Sequence, residues 1–365
     1  MKGFFSGIFS WVQKNERHLS TVFFVGGFIS DLLTFTLLNI SLVGLLFATY
    51  LTVGALSTLG SHWLLSKPPK KKDSWFRKTL LVVLPLATQY CIGSILSGCL
   101  IFYTKSSTLA VSWPFLLLIL AVFLGNEVFR DFRTHLAFQT VLLFFGLYAF
   151  TIFELPLFVH TIGPWVFLGS TAISATLFGL FIWLIGWLGW DRLRTTMKLI
   201  VPSVAGILLA ISAAYFTGLV PPIPLTMPEV GVYHNIQHKA GNYELTGEQK
   251  KPWWLLWEQT VVHHTPGEPL FVYSAVFAPV SFSTNIVHNW EWYNPTTQKW
   301  EEKNRVSFPI NGGRDNGYRG YSEETDVIPG KWRVTIETLQ HQAIGRIEFV
   351  VQDVDTEPFL ITTER

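Results

Sequence analysis

The sequence predicts an α-helical integral membrane bundle of seven transmembrane helices followed by an all-β, sandwich-like extracytoplasmic domain. Three observations carry that expectation. Charged residues are 14% of the 365-residue chain, against about 25% in a soluble domain. Residues 1–220 hold 15 lysines and arginines against 7 acids, a balance of +8, whereas residues 221–365 hold 12 against 18, a balance of −6. The first part is built of long apolar runs, the second of short alternating runs broken by Gly, Pro, Asn and Asp. The same numbers exclude an ordinary soluble domain and, with aromatics at 15%, a disordered chain. Two cysteines exclude a disulfide scaffold. A net charge of +2 argues against a nucleic-acid partner.

A spanning helix needs about 20 apolar residues, because the hydrocarbon is about 30 Å thick and a helix rises about 1.5 Å per residue. Segments near 19–39, 41–65, 79–103, 108–127, 135–154, 161–188 and 198–219 have that length. A tight turn around Asn39-Ile40-Ser41 is expected between the first two, and the sixth, the longest, is expected to tilt or to end near Trp187 and Trp190. Basic residues gather before the first span (Lys2, Lys14, Arg17), between spans two and three (Lys67 to Lys78), between four and five (Arg130, Arg133) and between six and seven (Arg192, Arg194, Lys198), with Lys105 alone on the other side. Positive loops stay in the cytoplasm. The N-terminus is therefore expected inside, and an odd span count places the C-terminal part outside. The domains expected are 1–220 in the membrane, a Pro-rich linker over 221–228, and 229–365 beyond it. The first apolar run is too long for a signal peptide and lacks a small-residue cleavage site, so it is expected to be retained.

Polar groups at membrane depth are functional candidates. Asp31 and Gln89 lie at similar depth and are read as an intramembrane polar pair, serving either a proton or cation site or a packing hydrogen bond. A single acid without a relay of partners favours packing. Glu154 and His160 are expected at the outer surface, and Asn126 to Asp131 at a solvated helix end. Cys91 and Cys99, eight residues apart on one helix, are about 12 Å from each other and cannot form a disulfide.

In the second part, Leu270 to Ala278 is an apolar run suited to a strand, Thr284 to Tyr293 alternates, and Asn294 to Thr297 is turn chemistry. Trp300 to Ile310 resumes an extended pattern before a second loop at Asn311 to Gly317. From Gly330, Trp332, Val334 and Ile336 share one face while Arg333, Thr335 and Glu337 share the other. Gln340 to Gln342 turns the chain, and Ile347, Phe349 and Val351 form the return strand's inner face. Regularly spaced short strands predict a sandwich.

The set His288-Asn289-Trp290-Glu291-Trp292-Tyr293, Gly330-Lys331-Trp332-Arg333-Val334 and Gly345-Arg346-Ile347-Glu348-Phe349 resembles an uncharacterised bacterial domain family of unknown function, over about residues 258–352. The resemblance implies an Ig-like module outside the cytoplasm of a bacterial cell and carries over no catalytic residue.

The remaining candidates are three. His234 and His238 have the i,i+4 spacing of a metal pair on a helix, but their segment has no strong helix signal; no metal and no cofactor is expected. Lys250, Lys251, Trp253, Trp254 and Trp257 suit a membrane interface, with indoles at the headgroups and lysines on anionic lipid, or else a plug over a sheet edge. Arg314, Asp315, Asn316, Tyr318, Arg319 and Tyr321, set among glycines, offer planar polar groups and aromatic faces to a sugar or peptide, or else form a plain long hairpin. No spacing recommends a nucleophilic triad, and Glu291 with Glu301 reads as a solvated sheet face rather than a glycosidase dyad. The expectation is a non-enzymatic protein of the bacterial inner membrane whose periplasmic domain binds a glycan, a lipid headgroup or a protein. The alternatives are a membrane enzyme or lipid handler with a site at the outer surface, and a proton-coupled transporter using Asp31.

Overall fold

A computed structural model of the chain describes residues 28–34, 40–67, 75–106, 109–128, 135–220, 225–239, 242–249, 259–278, 283–311, 317–356 and 358–365. The chain divides into two compact units, one holding most of the helices and one holding the strands.

In the helical unit a short helical stretch covers 28–34. It is followed by α1 (Ile40–Ser66), α2 (Trp75–Ser106), α3 (Leu109–Val128), α4 (Leu136–Val159) and α5 (Pro164–Phe216). Ile40 opens α1 rather than sitting in a turn. Among the described residues four helices are long and apolar enough to cross a membrane, namely α1, α2, α4 and α5, and α3 contributes a shorter apolar stretch over Trp113–Asn126. This corrects the expected seven. The first span lies mostly outside the described residues, and the sixth and seventh are the two halves of the 53-residue α5. Those halves meet at Gly189, whose backbone leaves helical geometry at φ −178° and ψ 77°. Gly189's freed carbonyl accepts from His62 Nε2 of α1 at 3.1 Å, which accounts for the break in the way helix kinks are normally accounted for, by a side chain entering the ladder.

The helices are held together as apolar helices must be, by small residues and hydroxyl bonds. A Cβ on Gly54 would lie 3.2 Å from Cys91 Cβ of α2 and 3.1 Å from Leu143 of α4. Tyr148 and Thr171 hydroxyls meet at 2.9 Å, and Ser170 Oγ donates to the Thr151 carbonyl at 3.0 Å, joining α4 to α5. Cys91 and Cys99 are buried free thiols.

The strand-bearing unit contains β1 (Thr226–Tyr233), β2 (Asn235–Lys239), β3 (Asn242–Gly247), β4 (Thr260–His264), β5 (Leu270–Phe277), β6 (Ser283–Asn294), β7 (Lys299–Asn311), β8 (Tyr318–Glu324), β9 (Gly330–Thr338), β10 (Ala343–Asp353) and β11 (Ile361–Glu364). They form sheets ordered β1-β5-β8, β4-β10-β9-β6-β7 and β11-β3-β2. All pairs are antiparallel except β4 with β10. Strand β1 begins inside the expected linker, so only its first four residues, 221–224, fall outside the described chain.

One core lies between the five-stranded sheet and β1-β5-β8. It is built from Leu270, Val272 and Val276 of β5 against Trp290, Trp332, Val334, Ile336 and Phe349. A second cluster covers the other face of β5: Phe271, Tyr273 and Ala275 meet Tyr233, Ile236 and Leu245. β5 is thus buried on both faces, which is why its sequence is an unbroken apolar run instead of an alternation.

The indole rings of Trp290 and Trp332 meet edge to face at 6.2 Å, and Trp290 meets Phe349 at 6.4 Å. The aromatic and glycine positions of the family-like motif are therefore mainly core chemistry. Gly330 starts β9 at φ 126°, a conformation that L side chains avoid, with Trp292 Nε1 3.0 Å from where a Cβ would be. Gly345 lies at the register shift between β9 and β10.

Candidate binding face

The outer surface of the five-stranded sheet carries ordered polar chemistry. Pairing register sets its rows. Arg346 of β10, Thr335 of β9, Asn289 of β6 and Arg305 of β7 stand opposite one another in one row, and Glu348, Arg333, Glu291 and Glu302 in the next. Arg333 grips Glu291 in a bidentate pair, Nε to Oε2 at 2.6 Å and Nη2 to Oε1 at 2.7 Å, the strong planar geometry of guanidinium with carboxylate. The same guanidinium lies over the Trp300 ring at 4.3 Å, and Trp300 is edge-on to Tyr293 at 5.3 Å. Arg346 Nε donates to Thr335 Oγ1 at 3.3 Å. Arg305 Nη2 reaches Glu337 Oε1 at 2.8 Å and also donates to His341 Nδ1 at 3.2 Å.

Thr335 and Glu337 point away from the core yet are only 4% and 5% exposed, and the guanidinium groups of Arg346 and Arg305 engage them. Burial raises the Glu337 carboxyl above the usual carboxylate range, against the pull of Arg305 and His341. Burial, with Arg333 nearby, lowers Arg346. Asn289 Oδ1 is buried and has no hydrogen-bond partner among the described residues. The face thus presents fixed donors, fixed acceptors and two aromatic rings.

The residues singled out from sequence fall elsewhere. Arg314, Asp315 and Asn316 lie outside the described residues, as do Lys250, Lys251, Trp253, Trp254 and Trp257. Tyr318, Arg319 and Tyr321 are not loop residues; they belong to β8, where they pair with Val276, Ala275 and Tyr273 of β5. Tyr318 packs on the core, Tyr321 meets Tyr243 at 6.1 Å, and the Arg319 carbonyl accepts from Tyr243 Oη at 3.4 Å.

His234 and His238 share no helix. His234 sits at the bend before β2, with Nε2 3.4 Å from Glu248 Oε1, and His238 stacks edge-on with Tyr243 at 4.9 Å. Glu248 also accepts from the His263 backbone at 2.6 Å and contacts His263 Nδ1 at 2.9 Å. Burial opposes the Glu248 charge, but these bonds outweigh it and hold the carboxyl down at about 2. His264, on the other face of β4, is buried between Asp353 Oδ1 at 3.1 Å and the Glu268 carbonyl at 2.8 Å. Among the described residues no group of three His, Cys, Asp or Glu side chains is placed to hold a metal.

Asp31 takes hydroxyl bonds from Ser94 and Ser97 of α2, a turn or two beyond Gln89. Glu291 and Glu301 are no dyad: Arg333 holds the first, and Asn294 Nδ2 donates to the second at 2.7 Å.

A serine–histidine contact does exist, in the core. His288 is 2.8 Å from Ser274 Oγ through Nε2 and 2.8 Å from Ser322 Oγ through Nδ1, and Trp290 Nε1 donates to Ser322 Oγ at 2.9 Å. All four side chains are buried, and the network ties β6 to β5 and β8. It is a fully bonded polar staple between facing sheets, closed to substrate. Burial pushes the His288 imidazole down to about 3.

Fold and face together define a chain of long apolar helices that carries a β-rich domain with a polar outer sheet surface. A family model described as "Protein of unknown function (DUF2914)" matches residues 283–351. The match covers β6 to β9 and most of β10, hence both the tryptophan core and the polar face, and it fits the uncharacterised domain expected from the motif. No curated protein matches the chain. A solved structure of Pseudomonas fluorescens alkylpurine DNA glycosylase AlkC bound to DNA containing an abasic site analog is similar at 10% identity and a TM-score of 0.23, over 78% of this chain and 83% of that one. A likeness that loose carries nothing about fold or activity.

Proposed function

We propose that this is a multi-pass protein of the bacterial inner membrane whose β domain, an Ig-like module on the extracytoplasmic side, recognises a hydroxyl-rich envelope glycan. Membrane insertion is supported by α5, whose apolar window is only 11% buried and whose Trp165 and Trp187 are 84% and 77% exposed. Apolar surface on that scale needs a cover, and lipid is the cover its length fits. Placement of the domain outside is supported by the basic intervals at 67–78, 130–133 and 192–198, which stay cytoplasmic, with one further apolar stretch, the second half of α5, before the domain.

The observation that carries the glycan reading is the row Arg346, Thr335, Asn289, Arg305 beside the stacked Arg333–Trp300 pair. Sugars are bound by planar, pre-bonded polar groups that meet hydroxyls in both donor and acceptor sense, with an aromatic face beneath the ring. Side chains already held by one another lose little freedom on binding.

The test is binding of the detergent-purified full chain to an array of bacterial envelope glycans. Asn289→Ala and Trp300→Ala are each expected to weaken the best ligand about tenfold, with the tryptophan fluorescence of the folded core unchanged. Glycan binding indifferent to both changes, or no glycan retained at all, overturns the reading. A protein partner retained in place of glycan does the same.

A further inference from the structure

The helical unit has a cleft that the β domain's proposed role does not use. It measures about 870 Å³ and is lined by His135, Leu136, Phe138 and Val141 of α4 or the residue before it, and by Arg192 and Leu199 of α5, among others. Its lining mixes charged, polar and apolar side chains.

The N-terminus of α4 borders this cleft. The first turn of a helix has backbone N–H groups without intrahelical acceptors. Here Gln139 N–H is taken by the His135 carbonyl at 3.1 Å, and the helix dipole is positive at this terminus. Arg192 stands at the same cleft from α5, a turn past the break at Gly189. Among the described residues no carboxylate pairs with its guanidinium. Thr195 and Thr196 also line the cleft, but both hydroxyls donate to the Arg192 carbonyl, at 2.9 and 2.7 Å, so toward a ligand they only accept. Leu65, Val141 and Leu199 supply apolar wall to the same cleft.

A guanidinium, a helix N-terminus and an adjoining apolar wall call for one kind of ligand: a phosphate with a hydrocarbon tail. We propose that this cleft binds an anionic phospholipid, its phosphate between Arg192 and the N-terminus of α4 and one acyl chain along Val141 and Leu199. The proposal rests on the membrane reading above, since it takes the ligand from the bilayer. It assigns Arg192 a task different from that of its neighbour Arg194, which is exposed and does not line the cleft. Arg194 serves as the control for diffuse attraction between basic loops and acidic lipid.

The experiment uses the full chain reconstituted in vesicles of phosphatidylglycerol and phosphatidylcholine, then released in mild detergent and examined by native mass spectrometry for retained lipid. The wild type is expected to retain phosphatidylglycerol in preference to phosphatidylcholine. Arg192→Gln is expected to lower that retention about tenfold, as for one lost charge-assisted contact, and Arg194→Gln to leave it unchanged. Leu199→Trp, which fills the apolar wall but keeps the charge, is expected to lower lipid retention as well, and decides the matter if Arg192→Gln does not fold. Equal retention in wild type and in either cleft variant overturns the proposal, as does an equal loss in Arg194→Gln. Inorganic phosphate that displaces the lipid at comparable concentration overturns the lipid as the source of the phosphate. A chain that sediments with membranes but shows no lipid preference sinks only the cleft. A chain that stays soluble on lysis sinks the membrane reading first.

Discussion

His288 shows how a single buried residue couples this fold to pH. Ser322 Oγ accepts from the Trp290 indole and lies 2.8 Å from His288 Nδ1, and Ser274 Oγ lies 2.8 Å from Nε2. Both ring nitrogens thus meet neutral hydroxyls, and neither serine offers a charge to offset a second ring proton. Burial accordingly holds the folded imidazole down at about 3 against an ordinary value of 6.5. Below about pH 6.5 the unfolded chain takes up a proton that the native chain refuses. Stability is therefore full above that pH and falls by about 1.4 kcal/mol per pH unit as the medium acidifies toward about 3. Glu248 acts at lower pH: its folded carboxyl is held at about 2 against 4.5, so its contribution is intact above 4.5 and is lost progressively as the pH falls from there through about 2. Denaturant unfolding of the full chain in detergent, followed through core tryptophan fluorescence between pH 4.5 and 6.5, should show this slope in the wild type and a much shallower one in His288→Gln. Equal slopes would show that the ring is not neutral in the core.

At the scale of elements, the break in α5 is fixed by two side chains of α1, Ser66 and His62. A Cβ on Gly189 would collide with Ser66 Oγ and lie 2.9 Å from His62 Nε2, the atom that bonds the Gly189 carbonyl. Gly189→Ala must therefore push α1 away or straighten α5. Either costs about 1–3 kcal/mol, the range for overpacking. His62→Ala removes the bond to the freed carbonyl and costs about 1–2 kcal/mol. Because both act on one contact, the double variant should be destabilised by clearly less than the sum. Thermal unfolding of the four proteins in one detergent measures this, and strict additivity would mean that His62 does not serve the break.

The same element shows where sequence reading stops. A hydropathy window sees two apolar stretches in α5 and a basic interval between them. Whether that interval turns the chain back depends on one glycine meeting a histidine 127 positions away. In the β domain, β6, β9 and β10 are legible because one face is core and the other polar, so alternation survives in the sequence. β1 to β4 are not, because they are short and carry Pro, His or Gly within a few residues of one another. β8 hides for a related reason: Gly320 is required by the Phe308 ring pressed against it, and a glycine beside charges reads as loop. The polar face was half visible, in Arg333, Thr335 and Glu337 on alternate positions of one strand. Its completion by Asn289, Arg305 and Arg346 depends on register between distant strands, including the shift at Trp290 and Glu291, and no local pattern encodes that.

For the whole molecule, the decisive physical contrast lies between the apolar exposed surface of the helices and the satisfied polar surface of the β domain. Leu209, Trp183 and Phe158 are 72%, 66% and 80% exposed, whereas Arg333, Glu291 and Glu337 are engaged by partners. Water solvates the second kind of surface cheaply and the first at about 25 cal/mol per Å², so the two parts should partition into different media. On the proposed sidedness the intervals rich in lysine and arginine face the cytosol. Thr296 lies in the exposed turn between β6 and β7, and Arg194 in the basic interval of α5, so cysteines placed there report on the two surfaces separately. Cys91 and Cys99 are buried and should stay silent. In intact cells with a permeabilised outer layer, a membrane-impermeant maleimide should label Thr296→Cys at once and Arg194→Cys only after the inner membrane is opened. The reverse order would place the β domain in the cytosol and remove the envelope glycan from its reach, while simultaneous labelling of both in a washed soluble fraction would remove the bilayer.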